Sequence, residues 1–458
     1  MKRSRFREFR PPRPRARRIS PVERLTHSCP VARVGVVPWS SDPKPTMTAS
    51  SIRAAQPQAE KTAGHLPLSR PMVLLLAAAC GLVVANIYYA QPLVGPISAS
   101  LGLSTEVAGL IVTMTQVGYV LGLLFIVPLG DLFENRRLMS GVLCICALAL
   151  LMAGLVTRAA PFLCAMLAIG LSSVVVQMLI PFSAHLAPEA SRGRVVGTVT
   201  SGLMMGIMLS RPISSFITHA TSWPVVFRLS CAATAVVAIV LARLLPRRQP
   251  TSGISYGVLL SSMLSLALHT PVLQRRASYQ FALYFAFSLF WTTVPLYLAG
   301  EPFHLTQEGI AWFGLAAVAG AIAAPLGGSL ADKGWGRLMT GVGIASVAAA
   351  LLLSQISPAS TTVHLGLLTF AAMLIDFGVS VTLVTSQRAI FALGAATRSR
   401  LNGLFMATFF IGGALGSGFG AWAFARGGWA GASALGLALP LLGLALFATE
   451  FRRRRSVP

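Results

Sequence analysis

Residues 127–137 read VPLGDLFENRR, and residues 328–337 read GSLADKGWGR. Each stretch follows a long apolar run and is too charged to cross a bilayer. Each places an Asp at the end of that run (Asp131, Asp332), a small polar residue or glycine four places on (Asn135, Gly336), and then an Arg (Arg136, Arg337). Two such stretches at matching places in two apolar arrays point to a chain built from two copies of one helical unit.

Composition agrees. Hydrophobic residues make up 55% of the chain and charged residues 11%, and the mean hydropathy is +0.72. A soluble domain carries about 25% charged residues, so this chain cannot cover a water-facing surface and belongs in a bilayer. Its long apolar runs suit helices of roughly 20 residues, not the short alternating strands of a barrel. The net charge of +24 does not indicate nucleic acid. Residues 1–70 hold 15 of the 37 Lys and Arg, and most of the others sit in short loops. The six cysteines show no metal-site or disulfide spacing and read as small fillers of apolar helices.

Twelve apolar segments are expected, at about 72–98, 105–128, 138–157, 161–186, 195–217, 223–246, 277–299, 307–328, 338–357, 362–386, 401–424 and 429–449. The predicted fold is therefore all-α: two pseudo-symmetric six-helix bundles, 71–246 and 277–450, joined by a cytoplasmic linker, 247–276. Residues 451–458 form a basic C-terminal tail. Pro92, Pro96 and Pro181 mark expected kinks. Within the linker, residues 255–268 are too short and polar to span; they read as an interfacial helix or an unstructured tether. Residues 1–70 are rich in Arg, Pro and Ser and are expected to be disordered. They read as a lipid-touching tail, a targeting segment, or sequence preceding a start at Met47. Lys and Arg cluster in the loops after even-numbered segments, which places both termini in the cytoplasm.

The halves echo each other beyond the opening motif. Residues 192–197 (RGRVVG) and 398–403 (RSRLNG) both read R-x-R-x-x-G, and Trp223 and Trp429 share the same 206-residue offset, as do Gly206 and Gly412. With these motifs the chain resembles the major facilitator superfamily. GSLADKGWGR is similar to that family's loop motif G-x-L-A-D-R-x-G-R-R; VPLGDLFENRR departs from it at Val127, Gly130 and Leu132 and is one residue longer. SGLMMGIMLSRPISS (201–215) resembles the glycine-rich fifth-helix motif of the family's antiporters, with Arg211-Pro212 where Gly-Pro is usual. ANIYYAQPLVGPI, in segment one, resembles the bacterial drug, sugar and nucleoside efflux branch.

The resemblance implies a gate in the two loops, with Asp131, Arg136 and Arg137 in the first half and Asp332, Lys333 and Arg337 in the second. It implies that Gly202, Gly206, Arg211 and Pro212 of segment five seal the halves on the outer side; packing alone explains the glycines equally well. It further implies a central path lined by segments one, four, seven and ten. Candidate substrate contacts at middle depth are Asn86, Tyr89, Gln91, Gln177, Tyr284, Phe287, Trp291 and Thr292, with Gln116 and Tyr119 from segment two. Aromatic walls with a few amides suit a flat or amphipathic organic molecule.

Charges inside a bilayer are costly and usually functional. Two lie deep. Asp376 is the candidate for proton coupling, because burial disfavours a carboxylate's charged form. Arg211 is open to three readings: a counter-ion for Asp376, a seat for an anionic substrate, or a side chain that snorkels to the headgroups. No phosphate-binding loop, metal cluster or catalytic set is present in the sequence, so no cofactor, metal or enzyme activity is expected. The expected function is proton-coupled efflux of a small organic compound by alternating access, by a monomer in the inner membrane of a bacterium. The alternatives are an uptake symporter or facilitator of the same fold and, more remotely, a membrane receptor or scaffold that transports nothing.

Overall fold

Hydrocarbon offers no partner to a backbone N–H or C=O, so an apolar chain must satisfy them within each segment. The computed structural model describes residues 69–249, 255–322, 329–394 and 397–455, and the apolar segments in this range are helical, with no strand among the described residues. Among the described residues, eight helical stretches are long and apolar enough to cross a membrane. The basic tail up to residue 68 and the end of segment eight (323–328) lie outside the described residues.

Several elements depart from ideal rods, for local reasons. Segment one is a helix over Arg70–Ala85, a turn through 86–90, a 3-10 turn at Gln91–Leu93 and a second helix over Val94–Leu101. Pro92 supplies no N–H and crowds the preceding turn, and the interruption lies at middle depth. Segment two widens into a π turn at Gly122–Ile126 and then tightens into a 3-10 turn at Val127–Asp131, around Pro128. Segments eleven and twelve form one continuous run, Arg398–Arg455, that turns at Gly428, where φ is 58° and ψ −154°; a side chain is strained there.

The linker was expected at 247–276. Its middle is a helix, Tyr256–His269, capped by the Ser255 side chain, which excludes the unstructured reading for those residues. Leu259 and Met263 are buried, while Val258, Leu264 and Leu268 remain exposed. Segment seven then begins at Pro271 rather than at 277.

Packing follows the repeat. Segment one lies on five, two on four and three on six; in the second half, seven lies on eleven and ten on eight and nine. Arg136 donates to the Leu245 carbonyl at 3.2 Å, and Arg337 donates to Glu450 at 3.3 Å. The two arginines are 201 residues apart and their acceptors 205, so a backbone oxygen and a carboxylate take equivalent places. Between the halves, segment two packs on eleven and five on eight.

Candidate functional site

The broken helix of segment one turns Tyr88 and Gln91 inward, toward Arg211 of segment five. Gln91 is fully buried and Arg211 is 5% exposed. Arg211 Nε donates to Gln91 Oε1 at 2.9 Å. Its guanidinium carbon lies 4.2 Å from the Trp291 ring centre, 5.0 Å from Phe287 and 5.5 Å from Tyr88. The planar cation is thus stacked on aromatic faces from both halves of the chain, an attraction that strengthens away from water. This rules out the snorkelling reading: Arg211 is directed into the protein, not toward headgroups.

The polar edges are not all satisfied. Arg211 Nη2, Gln91 Nε2 and Trp291 Nε1 are buried without a hydrogen-bond partner among the described residues, as is the Thr292 hydroxyl. The Gln91 orientation is dictated by chemistry. Arg211 Nε can only donate, so the amide oxygen must face it, and the amide NH2 is left over. A buried unpaired donor costs about 1–3 kcal/mol, more when charged.

Asp376, in the helix Thr361–Phe391 of segment ten, is 8% exposed. It makes no hydrogen bond or close ion pair with a described residue, yet its charge acts on Arg211 and on Tyr88. Arg211 is therefore an electrostatic neighbour of Asp376 and not a contact partner. On the other side of the cluster, the Tyr88 and Tyr284 hydroxyls are 3.0 Å apart. Tyr284 stacks on Phe409 with ring centres 3.6 Å apart and meets Phe287 at 5.1 Å. Tyr119 lies against Phe410 at 4.3 Å and accepts a hydrogen bond from Gln177 at 3.1 Å. Gln116 donates across the halves to Ser288 at 2.9 Å.

Thus Gln91, Gln116, Tyr119, Gln177, Tyr284, Phe287, Trp291, Arg211 and Asp376 converge on the middle of the molecule. Thr292 is buried next to Trp291 in sequence, its hydroxyl unpartnered among the described residues, and two other expected contacts lie elsewhere. Asn86 bonds Thr234 at 3.3 Å, within the first half, and Tyr89 packs in a separate cluster with Phe162 and Trp223. Tyr88 takes the place expected of Tyr89. The pair falls in the turn at 86–90, where no helical period indicates which side chain points inward. Phe409 and Phe410, also missed, are adjacent aromatics in a strongly apolar run and carry no mark in the sequence.

The segment-five glycines face their own half. A Cβ on Gly206 would lie 2.6 Å from Gly81 Cα, and one on Gly202 would lie 2.8 Å from Ala77 Cα. They bring segments one and five into backbone contact. Arg211 and Pro212 of that motif approach segment eight, at Gly314. Gly412 and Gly416 do the same in the second half, against Phe281 and Phe285 of segment seven. The halves also meet through Glu106–Arg426 at 3.8 Å, His219–Glu308 at 3.4 Å and the edge-to-face pair Phe216–Trp312. All three lie at the end remote from the Arg-rich loops.

At the loop end, Arg136 and Arg137 both approach Glu134, at 3.9 and 3.1 Å, a carboxylate that was present in the motif but not singled out. Asp131 lies in the field of Arg248 and of Arg400, which opens segment eleven in the other half. Arg337 pairs with Glu450, which also accepts from Tyr279 at 2.9 Å and lies 3.8 Å from Arg275. Lys333 is exposed. The Asp332 side chain lies outside what the structure describes.

A sequence model of the Major Facilitator Superfamily matches residues 73–390 and again 277–458. The chain belongs to the major facilitator superfamily. It is 36% identical over 389 residues to the uncharacterized transporter YgaY of Escherichia coli O157:H7, covering 85% of this chain and 98% of YgaY. It is 30% identical over 413 residues to the "Probable transporter SCO4007" of Streptomyces coelicolor, covering 89% and 93%. Among solved structures, a mutant of the nucleoside transporter NupG superposes with a TM-score of 0.68 at 12% identity, over 83% of this chain and 99% of that one. A bacterial homologue of the lysosomal transporter Spinster, inward-facing and unoccupied, superposes at 0.63 with 15% identity, over 82% and 95%. These two share the fold. As a member of this superfamily, the chain is a multi-pass membrane transporter of a small molecule and not an enzyme.

Proposed function

We propose that this transporter is a proton-coupled exporter. It exchanges a small organic molecule for a proton across the cytoplasmic membrane of a bacterium, as a monomer with both termini in the cytoplasm. The observation that carries the proposal is Asp376: a carboxyl buried in an apolar helix, without a hydrogen-bond partner among the described residues, beside a cluster built from both halves of the chain. A group so placed takes up a proton from one side and releases it to the other as the halves rock. The Arg-rich loops support the orientation, and the relatives in two bacteria support the setting.

The loop motifs act as the gate. Asp131 with Arg400 would tie the halves together at the cytoplasmic end in one state, and Glu106–Arg426 with His219–Glu308 would do so at the outer end in the other. Removing Asp131 should unbalance that exchange of closures.

Counterflow separates coupling from translocation. Asp376→Asn in vesicles should still exchange labelled for unlabelled substrate but lose accumulation driven by a pH gradient. Loss of both activities, or retention of both, contradicts the role given to Asp376.

A further inference from the structure

The cluster around Arg211 has one chemical property that transport by itself does not require. Three donors meet there with no acceptor among the described residues: Arg211 Nη2, Gln91 Nε2 and Trp291 Nε1. All belong to residues at least nine-tenths buried. Gln91 and Trp291 are each in direct contact with the same guanidinium, one through the 2.9 Å hydrogen bond and the other beneath its face at 4.2 Å. The nearest negative charge, Asp376, is not within ion-pair distance and leaves the donors open.

We propose that this cluster is an anion seat, and that the transported molecule is a small organic acid. Its carboxylate, or a comparable oxyanion, is held by Arg211, Gln91 and Trp291. Its apolar or aromatic body lies along Tyr88, Phe287 and Tyr284. The inference rests on reading this cluster as the substrate site, and three features commit it to an anion. Each orphan nitrogen at the guanidinium is a donor, so that point lacks an acceptor, and a cationic head placed there would face the like charge of Arg211. Guanidinium is the side chain best matched to a planar two-oxygen acceptor. The stacking on Trp291 and Phe287 covers the faces of the cation and leaves its edges as the place to bind. Gln91 completes the arrangement: it spends its oxygen on Arg211 and thereby turns its own NH2 into a further donor.

The test compares benzoate, benzamide and benzylamine, which share one ring and differ in charge. Each is added at equal ionic strength to the purified full-length chain, and thermal stabilisation is read as a function of concentration. Benzoate is expected to stabilise the wild type, with benzamide and benzylamine far weaker. Arg211→Gln should weaken benzoate by at least about tenfold, the loss of one charged hydrogen bond. Asp376→Asn should bind benzoate at least as tightly as the wild type, since a neighbouring negative charge has gone.

No stabilisation by benzoate, equal stabilisation by the amine, or benzoate binding that survives Arg211→Gln each overturns the proposal. If Arg211→Gln does not fold, Arg211→Lys serves: it keeps the charge but loses the planar fork, and an unchanged benzoate affinity overturns the proposal equally. Failure here leaves the proton role of Asp376 standing, because that role is read from gradient-driven accumulation and not from binding.

Discussion

Gly206→Ala is a one-carbon change whose consequence can be worked from the geometry. The added Cβ would lie 2.6 Å from Gly81 Cα and 2.7 Å from its carbonyl carbon, where ordinary contact begins at 3.4 Å. Both obstacles are backbone, so no rotamer change relieves them, and segments one and five must part by about 0.8 Å or more. The bond from Arg211 to Gln91 joins the same two segments at 2.9 Å. Carried across, the shift would stretch it to about 3.7 Å, beyond a hydrogen bond. Overpacking costs about 1–3 kcal/mol and the charged hydrogen bond about 1.5–3 kcal/mol. Against these stands a gain of up to about 1 kcal/mol in helix propensity. The net expectation is a loss of roughly 2–5 kcal/mol. Gly197→Ala, on the same helix with nothing within 4 Å of the new carbon, is the control and should be neutral or stabilising. The assay is thermal unfolding of the two purified variants followed by tryptophan fluorescence. A Gly206→Ala midpoint equal to that of the wild type would refute the reasoning, because it would mean that the two backbones are not held at this distance.

Three further outcomes are expected. Glu450→Gln should lower stability by about 1–3 kcal/mol, because it removes a buried carboxylate from Arg337, Arg275 and Tyr279, while the partial exposure of both arginines limits the loss; thermal unfolding in detergent measures it. Trp429→Phe keeps a ring to stack on Tyr297 but loses the 2.7 Å bond to the Ser354 carbonyl, and the same assay should show a cost of about 1 kcal/mol or somewhat more. Asp131→Asn should leave the fold intact and change the transport rate, since it removes the charge facing Arg248 and Arg400; equal initial rates in vesicles would count against a gate.

Much of the fold is open to a reader of the sequence because a bilayer imposes few choices. Apolar runs must become helices, and the loop motifs and the R-x-R-x-x-G pair show the repeat. The deep charges were visible for the same reason: Asp376 and Arg211 stand out in runs that otherwise exclude charge. What the sequence hides is which face of a segment points inward once the helix breaks. The turn at 86–90 brings Tyr88 to Arg211 and sends Tyr89 elsewhere. Partners supplied by backbone are equally hidden, since no side chain marks the Leu245 carbonyl that receives Arg136. Glu450 stands at the end of the last apolar segment, beside four arginines, and nothing in the sequence marks it as buried; its burial appears only when segments seven, nine and twelve are packed together. The segment-five glycines were open to two readings, a seal between the halves or helix packing, and in the structure Gly202 and Gly206 bring segment five against segment one.

The central claim is that Asp376 carries the proton. Its most direct test places the purified chain in proteoliposomes with a pH-sensitive dye inside, imposes a proton gradient, and adds drugs, sugars, nucleosides and organic acids one at a time. The account predicts a substrate-triggered proton flux in the wild type that disappears in Asp376→Asn. An undiminished flux in that variant, or substrate movement without proton flux in the wild type, would contradict it.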